Sequence, residues 1–323
     1  MWHIKVPAST ANLGSGFDSL GMALSIYLEC WFTLDDSLAI EVRGEGRGMI
    51  PETADNLVWR TADTLYRHVT GSPMPTGRLK VVSQIPLARG LGSSAAAIVA
   101  GLLLANTVLE KRLTVDELME WALKLEGHPD NVAAALYGGF VFAWNDGQRV
   151  HVHHYRSPEL KVLLIIPSFH VSTEAARQVL PTQVSLEDAL FNSQRLALWI
   201  HAVSQRDWSL LRYAGEDRLH QPYREALVPG MRPIIEGALA AGAEFAALSG
   251  SGPTMIALVS PDRLEGVRGR VFEIAEAVFP EGFTVHETSP SPWGAQSVLD
   301  SWRWRSASNI PWHTRLLQTS TQV

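Results

Sequence analysis

The residues best suited to chemistry in this chain form the run Pro86-Leu87-Ala88-Arg89-Gly90-Leu91-Gly92-Ser93-Ser94-Ala95-Ala96. It follows a strand-like stretch and opens a helix of small residues. Glycines at 90 and 92 let the backbone approach a ligand and turn where a side chain would clash. The amides of residues 91–94, at the positive end of a helix, would face phosphate oxygens. Ser93 and Ser94 add hydroxyl donors, and one hydroxyl can also reach Mg²⁺. No Gly-Lys-Ser/Thr occurs, so this is not a Walker A loop. A glycine-rich turn between strand and helix can equally bind nothing, so the loop has to be weighed with its surroundings. Two further polar, glycine-bearing segments stand out: Pro7-Ala8-Ser9-Thr10-Ala11-Asn12-Leu13-Gly14-Ser15-Gly16-Phe17-Asp18 and Leu248-Ser249-Gly250-Ser251-Gly252-Pro253-Thr254.

Such segments need a framework to aim them. The chain has 323 residues, enough for two domains with separate cores. Its composition, 46% hydrophobic and 19% charged, is that of a soluble globular protein. The net charge of -6 offers no basic excess for nucleic acid or an anionic membrane. Cys30 is the only cysteine, which excludes an intramolecular disulfide and a thiol-rich metal site. Met1-Trp2-His3-Ile4-Lys5-Val6-Pro7 lacks the charged-then-apolar order of a signal peptide. No window approaches the ~20 uninterrupted apolar residues of a membrane span. A cytoplasmic protein is the expectation.

Residues 2–6 and 22–34 read as strands, the second rich in Ile, Tyr, Trp, Phe and Thr. Residues 38–43 alternate less cleanly, and 55–69 carry a helical pattern through Leu57, Val58, Ala62, Leu65 and Tyr66. Residues 78–84 return to strand, and a helix runs from about 93 to 110. Thr114 with Glu117 forms a capping box for the next helix. A further helix through Asn131–Tyr137 stops at Gly138-Gly139. The second half has a buried strand at 160–166, then helices at about 173–180, 186–204 and 230–241. Short strands follow at 244–249 and 254–259, then a helix opened by Ser260-Pro261 and a strand at 283–288. Without the inserted helices the order is β-α-β-β-α-β, the split ferredoxin-like pattern. The polar run ending Arg156-Ser157-Pro158 sets the expected domains: 1–155, 156–290 and a Trp-rich extension over 291–323. Ser289-Pro290-Ser291-Pro292 reads as a linker. Trp293, Trp302, Trp304 and Trp312 beyond it are expected to pack on the body or on a partner subunit, because disordered tails are poor in aromatics.

Taken together, the segments at 7–18, 86–96 and 248–254 resemble the three signature motifs of the GHMP kinases, in the right order. The resemblance covers residues 4 to about 288. It implies an α+β, two-domain GHMP kinase fold. The N-terminal α/β domain would carry a left-handed βαβ crossover, the C-terminal domain would be a ferredoxin-like α/β sandwich, and ATP and substrate would lie in the cleft between them. It also implies that Pro86 to Ala96 and Ser249, Gly250, Ser251 and Gly252 hold the nucleotide, with Asn56 near its base.

Glu126-Gly127-His128-Pro129-Asp130-Asn131-Val132 narrows the resemblance to the homoserine kinases, as do Ser172-Thr173-Glu174-Ala175-Ala176-Arg177, Val179-Leu180-Pro181 and Gln221-Pro222-Tyr223-Arg224. Mevalonate kinases and galactokinases carry other sequences at the first of these. One departure is Ser15, where the family pattern has Pro between the glycines; it is expected to loosen a turn without removing a polar group the chemistry needs. The implied activity is transfer of the ATP γ-phosphoryl group to the side-chain hydroxyl of L-homoserine, in threonine biosynthesis. Arg177 and Arg224 match the arginines that hold the substrate carboxylate, a geometry guanidinium suits. Asp18 matches the residue that holds the ammonium. Asn12, His128 and Asn131 match polar residues near the amino group and hydroxyl. Ser94 and Glu126 match Mg²⁺ ligands, and Thr173 lies near the transferred group. Homoserine kinases are expected to dispense with a catalytic base, the proton passing toward the phosphate; Asp130 is the rival base.

Taken singly, each residue has an ordinary reading: a surface arginine, a turn aspartate, an asparagine cap, a core histidine, an exposed helical glutamate. Their joint fit to one subfamily outweighs these. Another GHMP kinase, acting on mevalonate or a sugar, is disfavoured by the paired arginines and the His-Pro-Asp-Asn run. A non-catalytic ligand sensor on the same fold should have lost part of the loop or the metal ligands, yet Ser93, Ser94 and Glu126 are present. The expected partners are a small-molecule substrate and, as a homodimer, a second copy of the chain, with no nucleic acid and no membrane.

Overall fold

The structure, a computed structural model, describes residues 1–299. Two long antiparallel strands open it, β1 (Trp2–Ala11) and β2 (Leu20–Leu34). Ile4, Val6, Cys30 and Phe32 alternate inward and are buried, whereas His3, Lys5, Glu29 and Trp31 take the outer face. β3 (Ala39–Gly44) runs parallel to β4 (Gly77–Ser83), and the crossover between them contains α1 (Leu57–Thr70). Gly71, in the left-handed conformation, ends α1. α2 (Ser93–Val108) is apolar on nearly every side, and it is correspondingly buried at the centre of the first half. α3 (Val115–Glu126) begins at the expected Thr114–Glu117 capping box, and α4 (Pro129–Tyr137) begins with proline in its first turn.

A hairpin of β5 (Phe140–Asn145) and β6 (Val150–Tyr155) then extends the sheet from β2. No strand is expected there from the sequence: the apolar Phe140-Val141-Phe142-Ala143-Trp144 follows directly on the glycines that stop a helix, and the run Val150-His151-Val152-His153-His154-Tyr155 looks polar. Its Val and His residues nevertheless alternate as a half-exposed strand requires.

The second half contains β7 (Lys161–Pro167), α5 (Thr173–Gln178), α6 (Leu186–Gln205), α7 (Leu211–Ala214) and α8 (Gln221–Arg224). α9 (Met231–Ala240), β8 (Phe245–Leu248), β9 (Met255–Val259), α10 (Leu264–Val278) and β10 (Phe283–Thr288) follow. The strands form an antiparallel sheet in the order β10-β7-β9-β8. This is the fourth-first-third-second order of a ferredoxin-like unit, as the β-α-β-β-α-β pattern implied. α10 starts at Leu264 rather than at Pro261: Ser260 spends its amide and hydroxyl on the Glu244 carboxylate, so it does not cap the helix.

Ser289–Pro292 is not a free linker. Ser25 N–H donates to Ser289 O, Ser291 N–H to Ala23 O and Gly139 N–H to Ser291 O. The chain thereby returns to the first sheet, where β11 (Gln296–Leu299) pairs with β1. Trp293 is 46% exposed in the single chain. Trp302, Trp304 and Trp312 lie outside the described residues.

One core surrounds α2 and reaches into the second half through Trp199, which stacks on Phe140 and meets Phe245 edge-on. A second, smaller core lies beneath α9 and α10 around Leu163, Ile234 and Val271. Among the described residues, no helix is long and apolar enough to cross a membrane.

Candidate active site

The three motif segments meet in one cleft. Gly90 and Gly92 have φ of +71° and +67°. A Cβ at 90 would fall 2.2 Å from Ser249 O, and one at 92 would fall 2.0 Å from Ser9 Oγ. Glycine is required at both places by backbone conformation and by the approach of the flanking segments. Ser249 is fully buried; its Oγ donates to Gly90 O at 2.6 Å and lies 2.9 Å from Thr10 Oγ1. Ser9 N–H donates to Leu91 O, and Gly250 N–H to Ala11 O. The loop is thus gripped from both sides. No side chain caps α2, so its first-turn N–H groups remain available to an anion.

Ser94, in the first turn of α2, donates to Glu126 Oε2 at 3.0 Å at the end of α3. Burial pushes the Glu126 carboxyl up, against the lowering effect of that hydrogen bond. Among the described residues no group of three or more His, Cys, Asp or Glu could hold a metal alone. A cation here would have one carboxylate, one hydroxyl and the phosphates of a bound nucleotide, which is how Mg²⁺ is commonly held.

The turn after Gly127 delivers His128, Asp130 and Asn131 at the start of α4. Burial holds the His128 imidazole below its usual range, against the opposing charge of Asp18. Asp130 is 3% exposed, and burial, reinforced by the charge of Asp18, pushes its carboxyl up to about 7. Asn131 Oδ1 accepts from Ser9 Oγ at 2.9 Å, which fixes the orientation of the amide.

The facing wall is cationic. Arg177 on α5 forms a two-pronged bond with Asp18, at 2.6 and 3.2 Å. Its Nε is buried with no hydrogen-bond partner among the described residues. Asn12 Oδ1 accepts from Asp18 N–H at 3.0 Å, and Asn12 Nδ2 donates to Gly250 O. Arg224 is 2% exposed; its Nε donates to Ala176 O and its Nη1 to Gly250 O, both at 3.0 Å. Burial, then the neighbouring Arg177, lowers the Arg224 guanidinium to about 10, so it stays charged at neutral pH. Both guanidiniums lie over the Phe17 ring, 5.4 and 5.3 Å from its centre. Thr173 is exposed in the first turn of α5, which Ser172 caps.

Of the residues singled out from sequence, Asn12, Asp18, Glu126, His128, Asn131, Thr173, Arg177 and Arg224 all line this cleft, as do Ala88 to Ser94, Gly250 and Ser251. Asp130 lines it too. Ala95 and Ala96 are fully buried behind the loop, and Leu87 packs toward Gly46. Pro86, Ser249 and Gly252 shape the turns rather than the cleft wall. Asn56 does not line the cleft; its amide caps α1 by accepting from Val58 N–H and donates to Pro51 O. Sequence reasoning missed Ser9 and His220, which hold Asn131 and Arg224 from behind. The only local signal for Ser9 is its place inside the first motif.

Comparison with known proteins places the chain in a family. The family description "GHMP kinases N terminal domain" matches residues 56–139, and "GHMP kinases C terminal" matches residues 199–275. The homoserine kinase of Moorella thermoacetica is 45% identical over 255 residues, 79% of this chain and 86% of its own. That of Synechococcus sp. is 44% identical over 274 residues, covering 82% and 88%. The crystal structure of a homoserine kinase from Cytophaga hutchinsonii superposes with a TM-score of 0.81 at 29% identity, over 92% of this chain and 96% of that one. A mevalonate kinase from L. major, 17% identical with a TM-score of 0.64 over 88% and 95% of the chains, shares the fold. The chain therefore belongs to the GHMP kinases, a superfamily of ATP-dependent small-molecule kinases, and within it to the homoserine kinase family.

Proposed function

We propose that the enzyme binds L-homoserine between Asp18 and the paired guanidiniums of Arg177 and Arg224 and phosphorylates its side-chain hydroxyl, giving O-phospho-L-homoserine for threonine biosynthesis. One observation carries this reading: two arginines and an aspartate share a wall that faces the glycine loop and the Ser94–Glu126 pair. A substrate with an ammonium and a carboxylate on one carbon exchanges with the Asp18–Arg177 bond, the ammonium taking Asp18 and the carboxylate taking the arginines. Asn12 holds the Asp18 backbone in place for this.

In this reading residues 1–155 form the nucleotide-binding domain and 156–290 the second domain, with substrate between them. Ser94 and Glu126 would hold Mg²⁺, which neutralises charge on the β- and γ-phosphates when bound. The loop amides at 91–94 bind and orient the phosphates. The Asn131 amide, held by Ser9, orients the acceptor hydroxyl, and Thr173 lies beside the transferred group. The hydroxyl oxygen forms a bond to the γ-phosphorus as the bond from that phosphorus to the β–γ bridging oxygen breaks. ADP leaves, and the hydroxyl proton passes to an oxygen of the transferred group. Positioning and charge stabilisation carry most of such a transfer, so no base is required. In this reading Asp18 serves the ammonium and Glu126 the cation, while Asp130 stands buried between them.

The same reading includes a homodimer, which sedimentation equilibrium tests, and a cytoplasmic location. The reaction itself is tested by ³¹P NMR of the enzyme with ATP and homoserine. The expected product is a phosphomonoester coupled to the terminal CH₂ of homoserine, formed in equal amount to ADP. ADP formed without that ester would overturn the assignment.

A further inference from the structure

Behind Arg224 lies a buried polar group that the mechanism above does not use. His220 is fully buried. Its Nε2 is 2.8 Å from Gly14 O, and its Nδ1 is 3.2 Å from Arg224 Nη1. A carbonyl can only accept a hydrogen bond and a guanidinium can only donate one. The two contacts therefore fix one tautomer, with the proton on Nε2 and the lone pair on Nδ1 turned to the arginine. Burial disfavours the charged ring and, with Arg224, outweighs the opposing charge of Asp217, in keeping with an imidazole held below its usual range.

Asp217 faces the same ring, but its carboxylate is already committed. Oδ1 accepts from Asn192 Nδ2 and Leu219 N–H, and Oδ2 accepts from His220 and Gln221 N–H. Its distance of 3.5 Å from Nε2 is longer than that of the Gly14 carbonyl. The ring also stacks on Phe17 at 5.0 Å, the same ring that lies under both guanidiniums.

The segment bearing Asp18 is fastened to the second half of the chain at two more points. Trp199 Nε1 donates to Leu13 O at 2.9 Å, and Ser15 Oγ donates to Ala214 O at 2.8 Å. Ser15, which stands where the family pattern has Pro, thus ties the turn to the second half of the chain. Arg224 Nη2 has no hydrogen-bond partner among the described residues, and Arg224 lines the cleft. Nη2 is thus the part of the guanidinium left for a ligand.

We propose that His220 is a positioning residue for the substrate carboxylate. It joins the Gly14 carbonyl, on the segment that bears Asp18, to the guanidinium of Arg224, and so sets the spacing between the ammonium and carboxylate partners. The inference rests on the reading of Arg224 as a carboxylate partner.

Steady-state kinetics of His220→Phe, His220→Gln and His220→Asn, with Arg224→Ala as reference, test it. Asparagine can place its amide oxygen where Nδ1 stood and keep the acceptor for Arg224, whereas phenylalanine keeps only the ring. Glutamine keeps a donor for Gly14 but no acceptor facing Arg224. The expected result is a homoserine KM at least tenfold higher in His220→Phe and His220→Gln, with ATP KM and kcat within threefold of wild type. His220→Asn should return the homoserine KM to within threefold. Should His220→Phe not fold, as a thermal melt would show, His220→Gln against His220→Asn decides the matter. Equal losses in the Asn and Gln variants, or a fall in kcat with both KM values raised together, would make the role merely structural and overturn the proposal. An unchanged homoserine KM in Arg224→Ala would instead remove the carboxylate reading itself. A raised KM in Arg224→Ala, with His220→Gln and His220→Phe unaffected, would sink the inference alone.

Discussion

Replacing Asp130 by asparagine separates a base from a charge. The wild-type carboxyl is 3% exposed and rises from 3.8 to about 7, chiefly through burial. A rise of about three units corresponds to at most roughly 4 kcal/mol at about 1.4 kcal/mol per unit, and relaxation of the surroundings brings the expected effect to about 1–3 kcal/mol. Between about pH 4 and 7 the folded protein keeps a proton at Asp130 that the unfolded chain has released. Stability therefore falls as pH rises through that window, and the full cost of the buried carboxylate is present above it. Asparagine carries no charge, and its Oδ1 can still accept from the Asn131 N–H, as the aspartate does at 2.7 Å. Asp130→Asn should then match wild type near pH 4 and exceed it by about 1–3 kcal/mol at pH 8, in urea unfolding at each pH.

If Asp130 supplies charge rather than accepting a proton, the variant should show a homoserine KM raised a few-fold and a kcat within tenfold. A general base typically contributes ~10²–10⁴-fold. A folded Asp130→Asn slowed a thousandfold, with the acidic limb of its kcat/KM profile gone, would refute the base-free transfer.

Ser94→Ala or Glu126→Gln should lower kcat at least tenfold with only partial recovery at high Mg²⁺, in a magnesium titration of turnover; wild-type turnover in both would remove the metal assignment. Arg177→Ala and Arg224→Ala should each weaken homoserine use by ~2–5 kcal/mol with little change in ATP KM, and Arg224→Ala, the more buried, should cost more. A collapse of ATP affinity instead would assign these arginines to the nucleotide. Asn131→Ala should lower kcat with ATP KM nearly unchanged, while Ser9→Ala, which frees the amide without removing it, should lower kcat less; the reverse order would deny Asn131 its role at the hydroxyl.

The fold was legible where local chemistry decides it. Thr114–Glu117 and Gly138 mark helix ends by backbone rules that need no tertiary partner. The ferredoxin-like order in the second half followed from the sequence of apolar runs alone. Pro261 misled because Ser260 is claimed by Glu244, 16 residues away. Ser289–Pro292 has the composition of a linker, and only its hydrogen bonds to Ala23, Ser25 and Gly139 reveal its place in the sheet. In the site, the motif residues assigned to ligands were legible because their types match what phosphates, ammonium and carboxylate require. His220 and Ser9 were not, since each serves a residue more than 100 positions away or a carbonyl no pattern marks: Ser9 holds Asn131, and His220 reaches Gly14.

The central claim is that this cleft selects an amino-acid alcohol by its ammonium and carboxylate. The most direct test is kcat/KM from ADP release with Mg-ATP across homoserine, mevalonate, galactose and shikimate. Homoserine should exceed every other acceptor by ~100-fold or more, as expected where buried charges left unpaired penalise a substrate lacking their partners. A kcat/KM for mevalonate or galactose equal to or above that for homoserine would contradict the account.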